Sequence, residues 1–282
     1  MVSDRESLVS GVSDTARWVA VYRAQESARP DALFRDDLAD LLAGEQGRAI
    51  VAAAPRRIRD GWWLVARTKL IDDLIEDAIA QGCDRVLNLA AGLDTRPYRL
   101  DLPADLVWVE ADLPALVAEK DRLLADRTPR CQLSRHAVDL ADPAARDRFL
   151  DEALAGARKA FVLTEGLLMY LSAQDVTGLS AAFTRPEIAW WTFDFASRGL
   201  QKTMNEKADG LLRNAPFTFA PDNGLAFFED LGWTTVSVES VMTAAYRYRR
   251  LPRLMRLLAR LPQPDPRRPG TKVLSAVACM TR

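Results

Sequence analysis

The stretch VLNLAAGLDTRPYRLDLPADLVWVEADLP, residues 86–114, decides the reading of the fold. It begins as an apolar run, breaks at a small-residue turn, turns polar, and recovers into a second apolar run ending in acids. A short β-rich run, then a Gly-containing turn, then another such run is the pattern of consecutive strands in an α/β sheet. Small residues after the first run let the backbone approach a ligand closely. Asp112 lies twenty positions after Gly92 at the end of the second run. A carboxylate at that place can accept both hydroxyls of a ribose.

Outward from this stretch the same alternation continues. Strand candidates are RVLNLA (85–90), LVWVEA (106–111), LSRHAV (133–138), AFVLTE (160–165), IAWWTFDF (188–195), TTVSVESV (234–241) and VLSAVACM (273–280). Helical patterns lie between them over 114–125, 143–155, 173–183 and 222–231. Such alternation implies an α/β fold: a seven-stranded, mainly parallel sheet with helices on both faces. The first eighty residues differ. Leu70, Ile71, Leu74, Ile75, Ala78 and Ile79 form one helical stripe, and Gly82 stops that helix before the first strand. Residues 1–80 therefore read as an N-terminal helical cap on a single domain spanning 1–282. QPDPRRPG (263–270) reads as a turn-rich connection.

Composition narrows the function. With 282 residues, 49% hydrophobic and 27% charged, the chain can bury a substantial core. A net charge of −1 gives no general attraction to nucleic acid. No apolar run is long enough to cross a bilayer, and MVSDRESLVSGVSD lacks a signal peptide's apolar core. Cys83, Cys131 and Cys279 are widely spaced, which argues against a zinc site or a disulfide framework. The expectation is a cytoplasmic protein with no metal, no nucleic-acid partner and no membrane partner, its oligomeric state left open. The basic stretch YRYRRLPRLMRLLARL (246–261) reads as a packed helix or hairpin with a solvated arginine face rather than a lipid-binding segment.

Neither GxGxxG nor GxxxxGK[ST] is present. A nucleoside cofactor without phosphates needs no such loop, which favours S-adenosylmethionine (SAM). At this point the sequence resembles the leucine carboxyl methyltransferase family of Rossmann-like class I SAM-dependent methyltransferases. It is most similar to the bacterial, actinomycete branch that includes polyketide carboxyl O-methyltransferases. The matching stretches are SDTARWVAVYRAQESARPDALFRDDLADLLAG (13–44), ARTKLIDDLI (66–75), LNLAAGLDTRPYRL (87–100), VEADLPALVAEK (109–120), VDLAD (138–142), LTEGLLMYL (163–171) and FFEDLGW (227–233).

The resemblance implies roles. Arg67 would pair with the methionyl carboxylate of the cofactor, although by itself it reads as a surface arginine on a helix. Asp112 would hold the ribose, and also reads as a helix N-cap before Pro114. Asp139 and Leu140 would frame the adenine, Asp139 reading equally as a turn carboxylate. Glu165, which ends an apolar run abruptly, would face the cofactor's positive charge. Gly92 would contact the cofactor through its backbone, and Ala90 stands where the family usually has glycine. Arg23, Arg96, Arg99, Tyr98 and Tyr170 are acceptor-side candidates, and residues 196–220 are the candidate acceptor lid. The single histidine, His136, reads as a satisfied core residue. A carboxylate acceptor needs no general base, so the implied reaction is O-methylation of a small-molecule carboxylate. The alternatives are a catalytically silent SAM-binding protein and a nicotinamide-dependent oxidoreductase.

Overall fold

The computed structural model describes residues 12–55, 59–207 and 214–282. Parts of the expected cap (1–11 and 56–58) and of the expected lid (208–213) lie outside the described residues. Three helices come first: α1 (Val12–Ser27), α2 (Ala39–Ala53) and α3 (Trp62–Ala80). The strands are β1 (Arg85–Leu89), β2 (Val107–Asp112), β3 (Gln132–Ala137), β4 (Ala160–Thr164), β5 (Ile188–Ala196), β6 (Thr234–Ser240) and β7 (Ser275–Thr281). They form one seven-stranded sheet in the order β3-β2-β1-β4-β5-β7-β6, with β7 antiparallel to both neighbours and the other pairings parallel. This is the Rossmann-like class I methyltransferase arrangement.

The remaining helices are α4 (Arg96–Arg99), α5 (Pro114–Leu123), α6 (Pro143–Leu154), α7 (Ala173–Ala182), α8 (Arg198–Lys207), α9 (Ala226–Asp230) and α10 (Val241–Arg247). Local chemistry sets their starts. Proline stands in the first turn of α5 and α6, where its missing N–H costs nothing. Asp142 caps α6 and a Ser172–Asp175 capping box starts α7. The helix expected over 222–231 is shorter, because Pro221–Gly224 forms a turn before it.

Two hydrophobic layers sandwich the sheet. One centres on Trp191, whose ring lies 4.8–5.4 Å from those of Phe183, Phe193, Phe228 and Trp233. Its indole donates to Thr164 Oγ1 at 3.0 Å, so the buried N–H is satisfied. The other layer receives the α3 stripe: Leu70, Ile71, Ile75 and Ala78 are buried, with Leu74 and Ile79 packed beside them. A third cluster joins α1 and α2 to Leu93, Leu116, Ala215 and Phe217, fixing the cap against the turn that follows β1.

Two expectations change. His136 is only half-buried, because β3 is an edge strand with one face open; its ring lies 5.5 Å from Phe149 and its Nε2 is 3.2 Å from Ser134 Oγ. In the 246–261 stretch α10 ends at Arg247, and two short 3-10 turns follow, Arg253–Met255 and Leu258–Arg260. The outward face of these turns is not only arginine. Leu254, Leu257, Leu258 and Leu261 are exposed there.

Candidate active site

Sheet order reverses between β1 and β4, and open α/β sheets bind ligands beyond the carboxyl ends of strands at that point. A cavity of about 330 Å³ opens there. Its wall comes from the ends of β1 through β4 and from α1 and α3, and that volume falls in the range of small-molecule sites.

At the exit of β1 the backbone turns through two left-handed residues, Ala90 at φ 55° and Gly92 at φ 50°. Glycine adopts this conformation freely, whereas a side chain adds roughly 1–2 kcal/mol. Ala90 therefore occupies a backbone position that suits glycine, as the resemblance indicates, and its methyl is accommodated with local strain. A Cβ at Gly92 would sit 3.2 Å from the Ala16 methyl on α1, so the cap closes directly over this turn. Asp112, at the end of β2, accepts the Gly92 N–H through Oδ2 and the Leu113 N–H through Oδ1, both at 2.7 Å. Burial pushes its carboxyl up, against those two N–H donors. The N-cap of α5 is Leu113, so Asp112 ties β2 to the β1 turn rather than capping the helix.

Beneath the cavity lies a buried charge network. Arg67, from α3, donates Nε to Glu165 at 3.0 Å and Nη1 to Asp194 at 2.8 Å. Arg96 reaches Asp72, Asp94 and Glu165, each at 2.7 Å, and Arg99 forks onto Asp72. Asn88 steadies Asp94 at 2.8 Å, and Gly166 donates its N–H to Asp194 at 2.6 Å. Burial works to raise Asp72, Asp94 and Glu165, but the facing guanidiniums outweigh it and hold all three below their ordinary carboxylate values. Four carboxylates meet three guanidiniums, so the network beside the cavity carries an excess negative charge.

Of the residues singled out in the sequence, Arg23, Arg67, Ala90, Gly92, Arg96, Asp112, Asp139, Leu140, Glu165 and Tyr170 all line this cavity. Tyr98 does not. Its hydroxyl accepts from Arg135, and it borders a second hollow with Arg35 and Arg127. Arg96 and Arg99 are bound by carboxylates already, which corrects their reading as acceptor-binding cations. Arg23 pairs with Asp36 at 2.8 Å and donates Nη2 to the Leu93 carbonyl at 2.5 Å. Nη1 of Arg23 and Nη2 of Arg67 have no hydrogen-bond partner among the described residues. Asp139 accepts the Ala141 N–H at 2.9 Å, so the turn carboxylate stands at the cavity wall.

Residue reasoning missed Asn88, Asp72, Asp94 and Asp194. The signal for Asp194 was a lone charge within the apolar run IAWWTFDF, which a strand buried on both faces tolerates only when paired.

The leucine carboxyl methyltransferase model matches residues 16–184. A protein from Parafrankia sp., by name an S-adenosyl-L-methionine-dependent methyltransferase, is 34% identical over 268 residues, covering 86% of this chain and 83% of the relative. A similarly named protein from Mycolicibacterium smegmatis is 32% identical, covering 82% of this chain and 86% of its own. Among solved structures, a protein from Thermobifida fusca named as a methyltransferase superposes with a TM-score of 0.61 at 16% identity, covering 100% of this chain and 99% of that one. A DUF574 family protein from Streptomyces avermitilis gives 0.57 at 15% identity, covering 95% and 97%. These structures share the fold.

Proposed function

The chain belongs to the leucine carboxyl methyltransferase family and is an S-adenosylmethionine-dependent methyltransferase, and from that premise we propose that it methylates a carboxylate of a small molecule. The observation that carries this reading is the character of the cavity wall: among the described residues it bears guanidiniums with unused donors and no imidazole, thiol or amine. A carboxylate is already ionised at neutral pH and needs a cation to orient it, not a base to deprotonate it. Asp94 and Glu165 are held ionised by arginines, which makes them weak proton acceptors. Burial pushes the Tyr170 phenol up against the lowering Thr15 hydrogen bond, so it stays protonated.

The residues suit SAM. Asp112 stands at the end of β2 on the cavity wall, and a carboxylate oxygen that accepts one N–H has a further lone pair for a ribose hydroxyl. Arg67 Nη2 suits the methionyl carboxylate. The negative network behind Glu165 favours the cofactor's ammonium and sulfonium charges. Leu140 and Asp139 flank the place for the adenine, and the Ala90–Gly92 turn supplies close backbone. Bound SAM provides an electrophilic methyl group on sulfur. The protein's part is to hold the acceptor in line with that methyl and keep water out. Arg23 Nη1 is the group assigned to the acceptor carboxylate, with Tyr170 on the wall of the same cavity. The lid role falls to 196–220: Phe217 stacks edge-on against Tyr170 at 5.5 Å, and Thr218 N–H bonds the Met169 carbonyl at 2.7 Å.

The test is transfer from methyl-labelled SAM into a fractionated extract of the source organism, followed by mild base. Label released as methanol from small molecules is the expected result. Base-stable label would overturn the carboxylate assignment and point to a hydroxyl or amine acceptor.

A further inference from the structure

The stretch after α10 has a surface that the methyltransferase site does not use. Between residues 241 and 264 there is no acidic residue, while Arg247, Arg249, Arg250, Arg253, Arg256 and Arg260 all fall there. The two 3-10 turns point Met255 and Ala259 inward, with Leu251, onto the α3 side of the sheet. The opposite side carries Leu254 at 91% exposure, Leu257 at 70%, Leu261 at 58% and Leu258 at 52%. Arg249, Arg253, Arg256 and Arg260 are exposed around them.

The packed side is made by Leu251, Met255 and Ala259 and uses none of these leucines. Large apolar side chains gathered on a surface mark a contact site. The ring of arginines identifies the chemistry of what it meets: an apolar layer topped by negative charge. A bilayer of anionic lipid has that profile. Leucines reach the acyl boundary while guanidiniums stay among the phosphates, and no shape-matched groove is required. Neither cavity described above is lined by these residues.

We propose that residues 253–261 form a peripheral docking surface for an anionic lipid bilayer. This departs from the expectation of no membrane partner, and it concerns the surface alone: no helix among the described residues is long and apolar enough to cross a membrane. The surface is anchored to the enzyme. Tyr248 donates to Asp73 of α3 at 2.6 Å, and Arg250 pairs with Glu26 of α1 at 2.8 Å and with Asp31 at 3.3 Å. Docking would therefore bear on α1, the helix that closes over the Gly92 turn.

The experiment is co-sedimentation of the full chain with vesicles of equimolar phosphatidylcholine and phosphatidylglycerol, against vesicles of phosphatidylcholine alone. Binding to the anionic vesicles, weakened by added salt, is expected. The double variant L254E/L257E should reduce it about tenfold or more while SAM affinity stays unchanged. R253E/R256E should weaken binding without removing a leucine. Equal binding to both vesicle types, no binding to either, or binding indifferent to L254E/L257E would overturn the proposal. So would a concentration-dependent dimer, broken by L254E/L257E, in a chain that ignores vesicles; the patch would then be an interface between copies.

Discussion

Arg96 shows how single side chains set this site. Its guanidinium is fully buried and reaches three carboxylates, so it neither meets solvent nor has a fork left for substrate. Its effect on the cavity is indirect, through the position and ionisation of Asp94 and Glu165. Asp112 is the contrasting case: both its oxygens are tied to backbone N–H groups, yet the residue faces the cavity. Asp112→Ala removes a charged acceptor from the place assigned to the ribose. SAM affinity should fall by about 1–3 kcal/mol, measured by titration calorimetry on a folded variant. Unchanged affinity would remove Asp112 from the binding site. The position of Asp112 at the cavity was legible because its spacing from Gly92 survives in the linear sequence. The neutralisation of Arg96 was not, because its partners come from α3, from its own turn and from the end of β4.

At the scale of elements, α1 packs against the cavity wall and α8 bonds the segment that carries Phe217. α1 packs over the Gly92 turn and pairs Arg17 with Glu119 of α5, tying the cap to the helix that follows Asp112. α8 leads into Phe217 and Thr218, which brace Tyr170. Substitution here should act on the acceptor and leave the cofactor alone. Phe217→Ala should shift the ratio of kcat/KM between two acceptor carboxylates of different bulk, with SAM affinity held within about twofold. Lost SAM affinity with no change in preference would assign this segment to the cofactor instead. The strands and most helices were readable, since their apolar periodicity is local. α9 came out shorter than its pattern because Pro221 and Gly224 impose a turn that outweighs helical propensity.

For the whole molecule, the buried charges predict a response to acid. Asp72, Asp94 and Glu165 have depressed values in the folded chain, so their stabilisation is complete above the unfolded carboxylate range near about 4 and is lost as pH falls through the folded values. Glu110 and Asp112 are raised by burial, against their cationic or N–H partners, and act in the opposite sense. The urea midpoint should therefore stay level or rise slightly from neutral pH to about pH 5 and fall steeply below about pH 4. A midpoint dropping steadily between pH 7 and 5 would mean that the arginines do not hold these carboxylates ionised.

The sequence by itself determined the sheet, most of the helices and which residues, Arg67, Ala90, Gly92, Asp112, Asp139, Leu140 and Glu165 among them, meet at one cavity. Strand and helix periods, the β1 turn and the Gly92–Asp112 spacing are properties of short stretches, and burial of apolar faces then forces one sheet. Only the tertiary structure decided which arginines remain available. Arg96 and Arg99 are neutralised, whereas Arg23 and Arg67 each keep a donor with no partner among the described residues. It also decided that the leucines of 254–261 face outward while Met255 and Ala259 face the core. The physical reason is the same in both cases. Pairing and exposure depend on neighbours brought together by the fold from distant positions, and neither periodicity nor spacing along the chain encodes them.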